Sequence, residues 1–319
     1  MKRTEVLDVM ESILKEAGFD VSEKCCSRPS CFDIAARREK QLALFKVQTN
    51  IGSTSFCDAF ELQTISSYFS AVPLIIGEKA RNKPLEDDTV YSRYDIYALT
   101  PKTFRDIVVE KMYPLIGAGP GGYYVRLDGD LIKKRRQKLG LSVGKMAEMI
   151  GISRRTLYGY EKGMAKASVS VAYKLEWILG VPLVQPIDVF QSAPGDTGFF
   201  ARARRVIARH GMMIKQSLIQ KVLRKLSQFN FVVTSVGKAP FDFMAKHPNK
   251  ELKIIGGIAH KKERDMDKRA TEIVSVSRIV EFQPILITDG KKVLNNDILS
   301  ISQEDLMKIK TSEELFTML

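Results

Sequence analysis

The stretch Gly140–Gly163, GLSVGKMAEMIGISRRTLYGYEKG, decides how the chain is read. It contains two short helices joined by a tight turn. Ser142 stands just before an apolar-periodic run at Met146, Ala147 and Ile150, and its hydroxyl suits an N-cap. Gly151 can take the left-handed backbone angle that a sharp helix-to-helix turn needs. Ser153 then caps a second helix whose apolar side is Leu157 and Tyr160, and Ala147 is small where two crossing helices come close. Arg154, Arg155 and Thr156 open that second helix away from its apolar side. This is the layout of a helix-turn-helix that projects the first turn of its second helix outward.

The flanks extend the pattern. Asp128–Gly140, DGDLIKKRRQKLG, reads as a basic first helix with Leu131 and Leu139 as apolar anchors, and Lys166–Leu183, KASVSVAYKLEWILGVPL, supplies a fourth helix with its stop at Gly180. With Leu141, Ser142, Ala147, Gly151, Ser153 and the Glu161–Gly163 close at their present spacing, residues 126–183 resemble the lambda-repressor/Cro (XRE) type of helix-turn-helix. Nearly the whole chain resembles an archaeal family of helix-turn-helix transcriptional regulators. That resemblance implies double-stranded DNA as partner, with the recognition helix Ser153–Lys162 in the major groove. It implies no reaction, so the protein is expected not to be an enzyme and to carry no catalytic residue and no cofactor.

An arginine at the start of a recognition helix can donate two hydrogen bonds to a guanine edge. Arg154, Arg155 and Thr156 are therefore the candidate base contacts; the alternative for both arginines is contact with phosphate alone. Ser142, Lys145, Tyr158, Lys162 and Lys166 are the candidate phosphate contacts, helped by the free N–H groups of the Ser142 helix. Two positions depart from the repressor pattern. Val143 stands where glutamine is usual, and Gly159 stands where a longer polar residue often reads a base. Arg136 and Glu161 match a pair that joins the first and third helices in that type, so an ion pair is expected. One motif per chain reads half a site, and a two-fold homodimer is the usual solution.

Charge distribution agrees with this reading. The net charge is +13 and the pI about 9.5. Between Arg126 and Gly180 there are twelve basic and five acidic side chains, a net +7, so over half the excess lies on about a sixth of the chain. A basic balance so placed favours a polyanionic partner. No apolar run is long enough to span a membrane. Cys25, Cys26, Cys31 and Cys57 match no common zinc spacing and read as buried thiols of a cytoplasmic protein, with no metal site.

The motif sits between two copies of one pattern. Each copy opens with an amphipathic helix, Thr4–Val21 and Lys215–Val233. Each has a Phe-Asp strand, Cys31–Arg38 and Pro240–His247, then a second strand, Gln41–Thr49 and Glu251–Ala259. A helix follows, about 56–69 and 265–280, then the strands Val72–Glu78 and Gln283–Asp289, and finally Asp95–Phe104 and Asp297–Leu306. The expected architecture is α+β and multidomain: an all-α helix-turn-helix domain between two duplicated small α/β domains. The expected boundaries are 1–111 for the first α/β domain, 112–125 for a Gly-rich linker, 126–183 for the helix-turn-helix, 184–211 for a linker with a basic helix, and 212–319 for the second α/β domain. The polar piece Glu78–Arg93 reads as a loop. Gly117, Gly119 and Gly122 spell GxGxxG, but no apolar helix follows, so a hairpin or loop is favoured over a dinucleotide site. Nothing in the sequence names a small-molecule effector, and the flanking domains are candidates for dimerisation or ligand sensing.

The α-β-β-α-β order, with Asp33 on one strand and Lys46 on the next, resembles a degenerate restriction-endonuclease-like fold. Such nucleases hold Mg²⁺ between an aspartate and the glutamate of a Glu-x-Lys. Here Leu44 occupies the glutamate position, and the second copy keeps Asp242 but has GGI in the lysine region. One carboxylate is a poor Mg²⁺ site. Asp33 and Asp242 are accordingly expected to be framework residues satisfied by backbone N–H groups; the alternative is a DNA nuclease or repair protein using the Asp33/Lys46 domain.

Overall fold

The computed structural model describes residues 2–119, 121–191, 217–259, 265–288 and 295–318. The first lobe begins with α1 (Arg3–Glu16) and β1 (Asp20–Val21), followed by β2 (Ile34–Arg38), β3 (Gln41–Val47), α2 (Phe56–Phe69) and β4 (Val72–Ile76). After a small hairpin of β5 (Lys79–Ala80) and β6 (Lys83–Pro84) come β7 (Thr89–Arg93), β8 (Ile96–Leu99) and α3 (Pro101–Val108). The strands run β1-β2-β3-β4-β8, the first two pairings antiparallel and the next two parallel. Both faces are covered, so the central strands are apolar almost throughout. Ile34, Phe45, Leu74 and Leu99 pack toward α1 and α3, whereas Ala35, Leu44, Ile75 and Ala98 face α2 and the second lobe.

The helix-turn-helix domain comprises β9 (Ile116–Gly119), β10 (Gly122–Leu127), α4 (Gly129–Lys138), α5 (Val143–Ile150), α6 (Arg154–Glu161), β11 (Ala167–Ser168), α7 (Val169–Leu179) and β12 (Val184–Gln185). The second lobe contains α8 (Ser217–Gln228), β13 (Val232–Ser235), β14 (Phe243–Lys246), β15 (Lys253–Ile258), α9 (Met266–Val280), β16 (Gln283–Thr288), β17 (Leu299–Ser302), α10 (Gln303–Lys308) and α11 (Ser312–Met318). Its sheet runs β13-β14-β15-β16-β17 with the same sequence of pairing senses as the first.

The two lobes share one core and exchange equivalent contacts. Phe32 and Phe241, the residues before Asp33 and Asp242, meet with ring centroids 6.3 Å apart. Arg37 Nε on β2 donates to the Ile279 carbonyl near the end of α9, 2.6 Å away, and Lys246 Nζ on β14 donates to the Tyr68 carbonyl near the end of α2. Glu272 on α9 accepts from the Cys26 and Ser27 amides at 2.9 and 2.7 Å. Glu61 on α2 accepts from the Lys238 amide at 2.7 Å. Each lobe thus offers a helical glutamate to the loop that precedes the other lobe's aspartate strand.

Several sequence expectations differ from the structure. The first helices stop at Glu16 and Gln228, and the residues after them turn into the edge strands β1 and β13. Glu78–Arg93, expected as a loop, contains β7, because Thr89 and Val90 are buried and pair parallel with β9. Residues 112–125, expected as a linker, form most of the β9–β10 hairpin. Through β7 and β9 it makes the first sheet continuous with the helix-turn-helix domain. Gly117, Gly119 and Gly122 all lie in this hairpin. Of the cysteines, only Cys25 and Cys31 are buried; Cys26 and Cys57 are exposed. The basic helix expected at 198–211 lies outside the described residues.

Candidate nucleic-acid interface

The local chemistry of the motif follows its capping residues. Ser142 Oγ accepts from the Lys145 amide at 3.0 Å and Ser153 Oγ from the Thr156 amide at 3.0 Å, which starts α5 and α6 where the serines stand. Gly151 ends α5 at φ 82°, the left-handed conformation that closes the turn. Met146, Ala147, Ile150, Leu157 and Tyr160 are all buried in the domain's core, joined by Ile132, Leu175 and Leu179. On the first helix the expected anchors are revised. Ile132 is fully buried, Leu131 is partly buried, and Leu139 is 53% exposed because it caps the helix end rather than facing the core.

α4 and α6 lie close enough that a Cβ on Gly129 would fall 2.5 Å from the Tyr160 carbonyl oxygen. That approach lets Arg136 reach Glu161. Arg136 Nε and Nη2 donate to the two carboxylate oxygens at 2.6 and 3.0 Å, and Nη1 donates to the Leu141 carbonyl at 2.9 Å. Both side chains are buried. The carboxylate raises the Arg136 pKa above its ordinary value, although burial works the other way.

The outward face is built around this clamp. Arg154 and Arg155 are exposed on the first turn of α6. Arg154 folds back over Gly144, so that a Cβ there would lie 2.9 Å from its Nε. Its guanidinium therefore rests beside the first turn of α5. Thr156 is half-buried, and its hydroxyl is 2.8 Å from Ser153 Oγ. Ser142, Lys145, Tyr158, Lys162 and Lys166 are exposed, with Lys145 Nζ 3.2 Å from Glu148 and Lys162 Nζ 5.9 Å from the Tyr158 ring centroid. The two helix starts and these side chains thus form one basic surface. Sequence reasoning missed Gly144 and Gly129, whose roles depend on what another helix places above them.

At the aspartate of the first lobe, the carboxylate is fully engaged. Asp33 Oδ2 accepts from the Val47 amide at 2.7 Å, and Oδ1 accepts from Arg3 Nη2 at 2.5 Å and Lys46 Nζ at 3.3 Å. Lys46 Nζ also donates to the Ser30 carbonyl at 2.6 Å. Leu44, in the glutamate position, is buried in the core. In the second lobe Asp242 Oδ2 accepts from the Ile258 amide at 2.6 Å and from Arg269, while Oδ1 accepts from Arg28 of the first lobe at 2.8 Å. Gly257 stands at the position of Lys46, and Arg269 Nη2 lies 3.6 Å from where its Cβ would be. Guanidinium groups occupy the space around both aspartates, and no group of three or more His, Cys, Asp or Glu able to hold a metal exists among the described residues.

Comparison with known proteins agrees with both parts of this geometry. Residues 132–185 match the helix-turn-helix family model, and residues 3–114 match a PD-(D/E)XK superfamily domain. A protein of Methanosarcina acetivorans is 35% identical over 314 residues, covering 95% of this chain and 92% of that protein. Relatives from Thermococcus gammatolerans and Pyrococcus furiosus are 32% and 31% identical, covering 100% and 99% of this chain and 96% of each relative. All three are provisionally named HTH-type transcriptional regulatory proteins. The chain belongs to this archaeal family. A chain of a SinR protein/SinI protein complex aligns with 32% of the chain at 19% identity, with a TM-score of 0.16, too low for a shared fold to be read from it. This chain thus combines a helix-turn-helix with a lobe of the PD-(D/E)XK superfamily. No helix among the described residues is long and apolar enough to cross a membrane.

Proposed function

We propose that the protein is a cytoplasmic transcriptional regulator that binds double-stranded DNA sequence-specifically, with Ser153–Lys162 in the major groove. The observation that carries this reading is the exposure of Arg154 and Arg155 on the first turn of a recognition helix locked in place by Arg136 and Glu161. Arg155 extends from the surface and suits a guanine edge, with Thr156 beside it. Arg154, resting at the start of α5, is placed to bridge a base and a backbone phosphate. Ser142, Lys145, Tyr158, Lys162 and Lys166 contact phosphates on either side. Two chains bind as a homodimer, since each motif reads a half-site.

The two α/β lobes are copies of one unit, paired inside the chain about an approximate two-fold axis near Phe32 and Phe241. The shared strand order and the exchange of Glu61 and Glu272 support that reading. Selection of random duplexes by the purified protein tests the function: an enriched motif with half-sites about one helical turn apart is expected. Affinity should fall with salt at a slope of about −0.9 per phosphate contacted. Failure to enrich any sequence would overturn the proposal.

The match of residues 3–114 to a PD-(D/E)XK domain favours a second reading, a nuclease targeted by the helix-turn-helix. The engagement of Asp33 by Arg3 and Lys46, and the loss of the second carboxylate at Leu44, weigh against it. Incubation of duplex, branched and single-stranded DNA with Mg²⁺ or Mn²⁺ decides: cleavage abolished by Asp33→Asn would establish it.

A further inference from the structure

Helix α7 is apolar on two faces. Ala172, Leu175 and Leu179 are buried in the helix-turn-helix core. Val169, Tyr173 and Trp177, at i, i+4 and i+8, form a second stripe, and they are 44%, 65% and 78% exposed. Met149, near the end of α5, is 49% exposed. With Tyr173, Lys174, Trp177 and Ile178 it lines an open groove of about 510 Å³. A surface helix needs one apolar face for its own core. The second stripe on α7 is covered by nothing among the described residues.

The charged groups of α7 are engaged elsewhere. The helix carries only Lys174 and Glu176. Lys174 Nζ donates to the Ile150 carbonyl at 3.3 Å, and Glu176 Oε1 accepts from the Leu183 and Val184 amides at 2.7 and 3.1 Å. The stripe therefore suits an apolar partner and not a polyanion. It shares no residue with the basic surface at Ser142, Lys145, Arg154, Arg155 and Lys162. Along α5, Met149 stands at the end opposite the Ser142 cap.

The stripe is complementary to itself. Two copies of α7 laid antiparallel about a two-fold axis at Tyr173 bring each Val169 to the partner's Trp177. The small end of one stripe then meets the large end of the other, and the two Tyr173 rings meet on the axis. Area points the same way. At about 150–250 Å² per aromatic side chain, Tyr173 and Trp177 together expose on the order of 300 Å². Met149 and Val169 bring the patch into the range at which exposed apolar surface marks an interaction site. With a polar rim, such a patch is the centre of a standard interface of about 800 Å² per partner. We propose that α7 and the end of α5 form the homodimer contact, a two-fold interface between two copies of this chain centred on Tyr173 and Trp177. The inference rests on the homodimer reading above and assigns it a face.

Sedimentation equilibrium of the full-length protein without DNA tests it. Trp177 is the only tryptophan in the chain, so its fluorescence reports on the same contact. A dimer is expected. Trp177 emission should shift to shorter wavelength, and acrylamide quenching should fall, as concentration rises through the dimer Kd. Tyr173→Glu should weaken dimerisation by about a hundredfold or more, since like charges would meet across the axis. Val169→Glu, opposite the partner's Trp177, should also dissociate the dimer. Both positions are exposed, so circular dichroism of each variant should match the parent. A monomeric parent, a dimer that persists in either variant, or a dimer whose Trp177 stays as open to quenching as in the monomer would each overturn the proposal. Trp177 already shielded in the monomer would overturn it too, since the stripe would then be covered within one chain. Duplex selection is a separate measurement: failure to enrich any sequence leaves this dimer standing, and a monomeric parent leaves half-site recognition by Arg155 standing.

Discussion

Arg136 and Glu161 form a two-pronged ion pair across the helix-turn-helix, Nε to Oε1 at 2.6 Å and Nη2 to Oε2 at 3.0 Å, with both side chains buried. The pair ties the first helix to the end of the recognition helix. Taking both charges out of water is costly, so its net contribution is small, yet removing one partner strands the other. Glu161→Ala should destabilise the domain by about 3–5 kcal/mol, less whatever the Leu141 carbonyl recovers for Arg136. The double replacement Arg136→Met with Glu161→Leu should cost much less. Denaturant unfolding of these two variants beside the parent checks the difference; a Glu161→Ala variant as stable as the parent would show that the pair does not act this way.

Gly144 separates stability from recognition. An alanine there would push its Cβ to 2.9 Å from Arg154 Nε and 3.1 Å from its Cζ. The guanidinium is the free end of a flexible chain and can move aside. Folding should therefore be unchanged or improved by about 0.5–1 kcal/mol, since alanine is the better helix former. DNA affinity should fall because Arg154 no longer rests beside α5. Arg155→Ala, by contrast, should relax preference at one base by about 1–3 kcal/mol. Fluorescence anisotropy on an enriched duplex and its single-base variants distinguishes the two.

Gly256 is required by a neighbour in the second lobe. A Cβ on it would meet the Phe243 ring at 1.9 Å. At the equivalent register in the first lobe, Ile34 pairs with Phe45, so the large ring sits on the opposite strand. Gly256→Ala should cost about 1–3 kcal/mol through overpacking. Adding Phe243→Leu should restore part of that loss. Thermal unfolding of the single and double variants reads the rescue; equal destabilisation in both would refute the steric cause.

Asp58 gives the lobe junction a pH dependence. Burial pushes its pKa up, but hydrogen bonds from Lys238 and Ser55 outweigh burial and hold it below the ordinary aspartate value. A carboxyl lowered on folding contributes stability that is complete above its unfolded pKa and is lost as pH falls through the folded one. Asp58→Asn should therefore be less stable than the parent at neutral pH, and the two melting temperatures should converge in acid. A constant gap across the titration would exclude the Asp58–Lys238 pair as its source.

Local sequence chemistry carried a long way into this structure. The serine caps, the Gly151 turn, the apolar stripes of α5 and α6 and the span Phe56–Phe69 of α2 stand where spacing alone puts them. Leu139 illustrates the limit. It has the right character for an anchor, but the helix ends before it can turn inward, and Ile132 takes the buried place. The glycines at 117, 119 and 122 pointed to a hairpin or loop, but not to its place in the sheet, because the strands that flank it, β7 and β11, are brought in from elsewhere in the chain.

Amino-acid order by itself determined the helix-turn-helix and the exposed arginines, since caps, turns and helical periodicity act over a few residues. Only the tertiary structure decided which cations surround the two aspartates. Arg28 reaches Asp242 across 214 positions, and Lys238 reaches Asp58 across 180. Such partners are chosen by how two folded lobes meet, and no local pattern encodes that meeting.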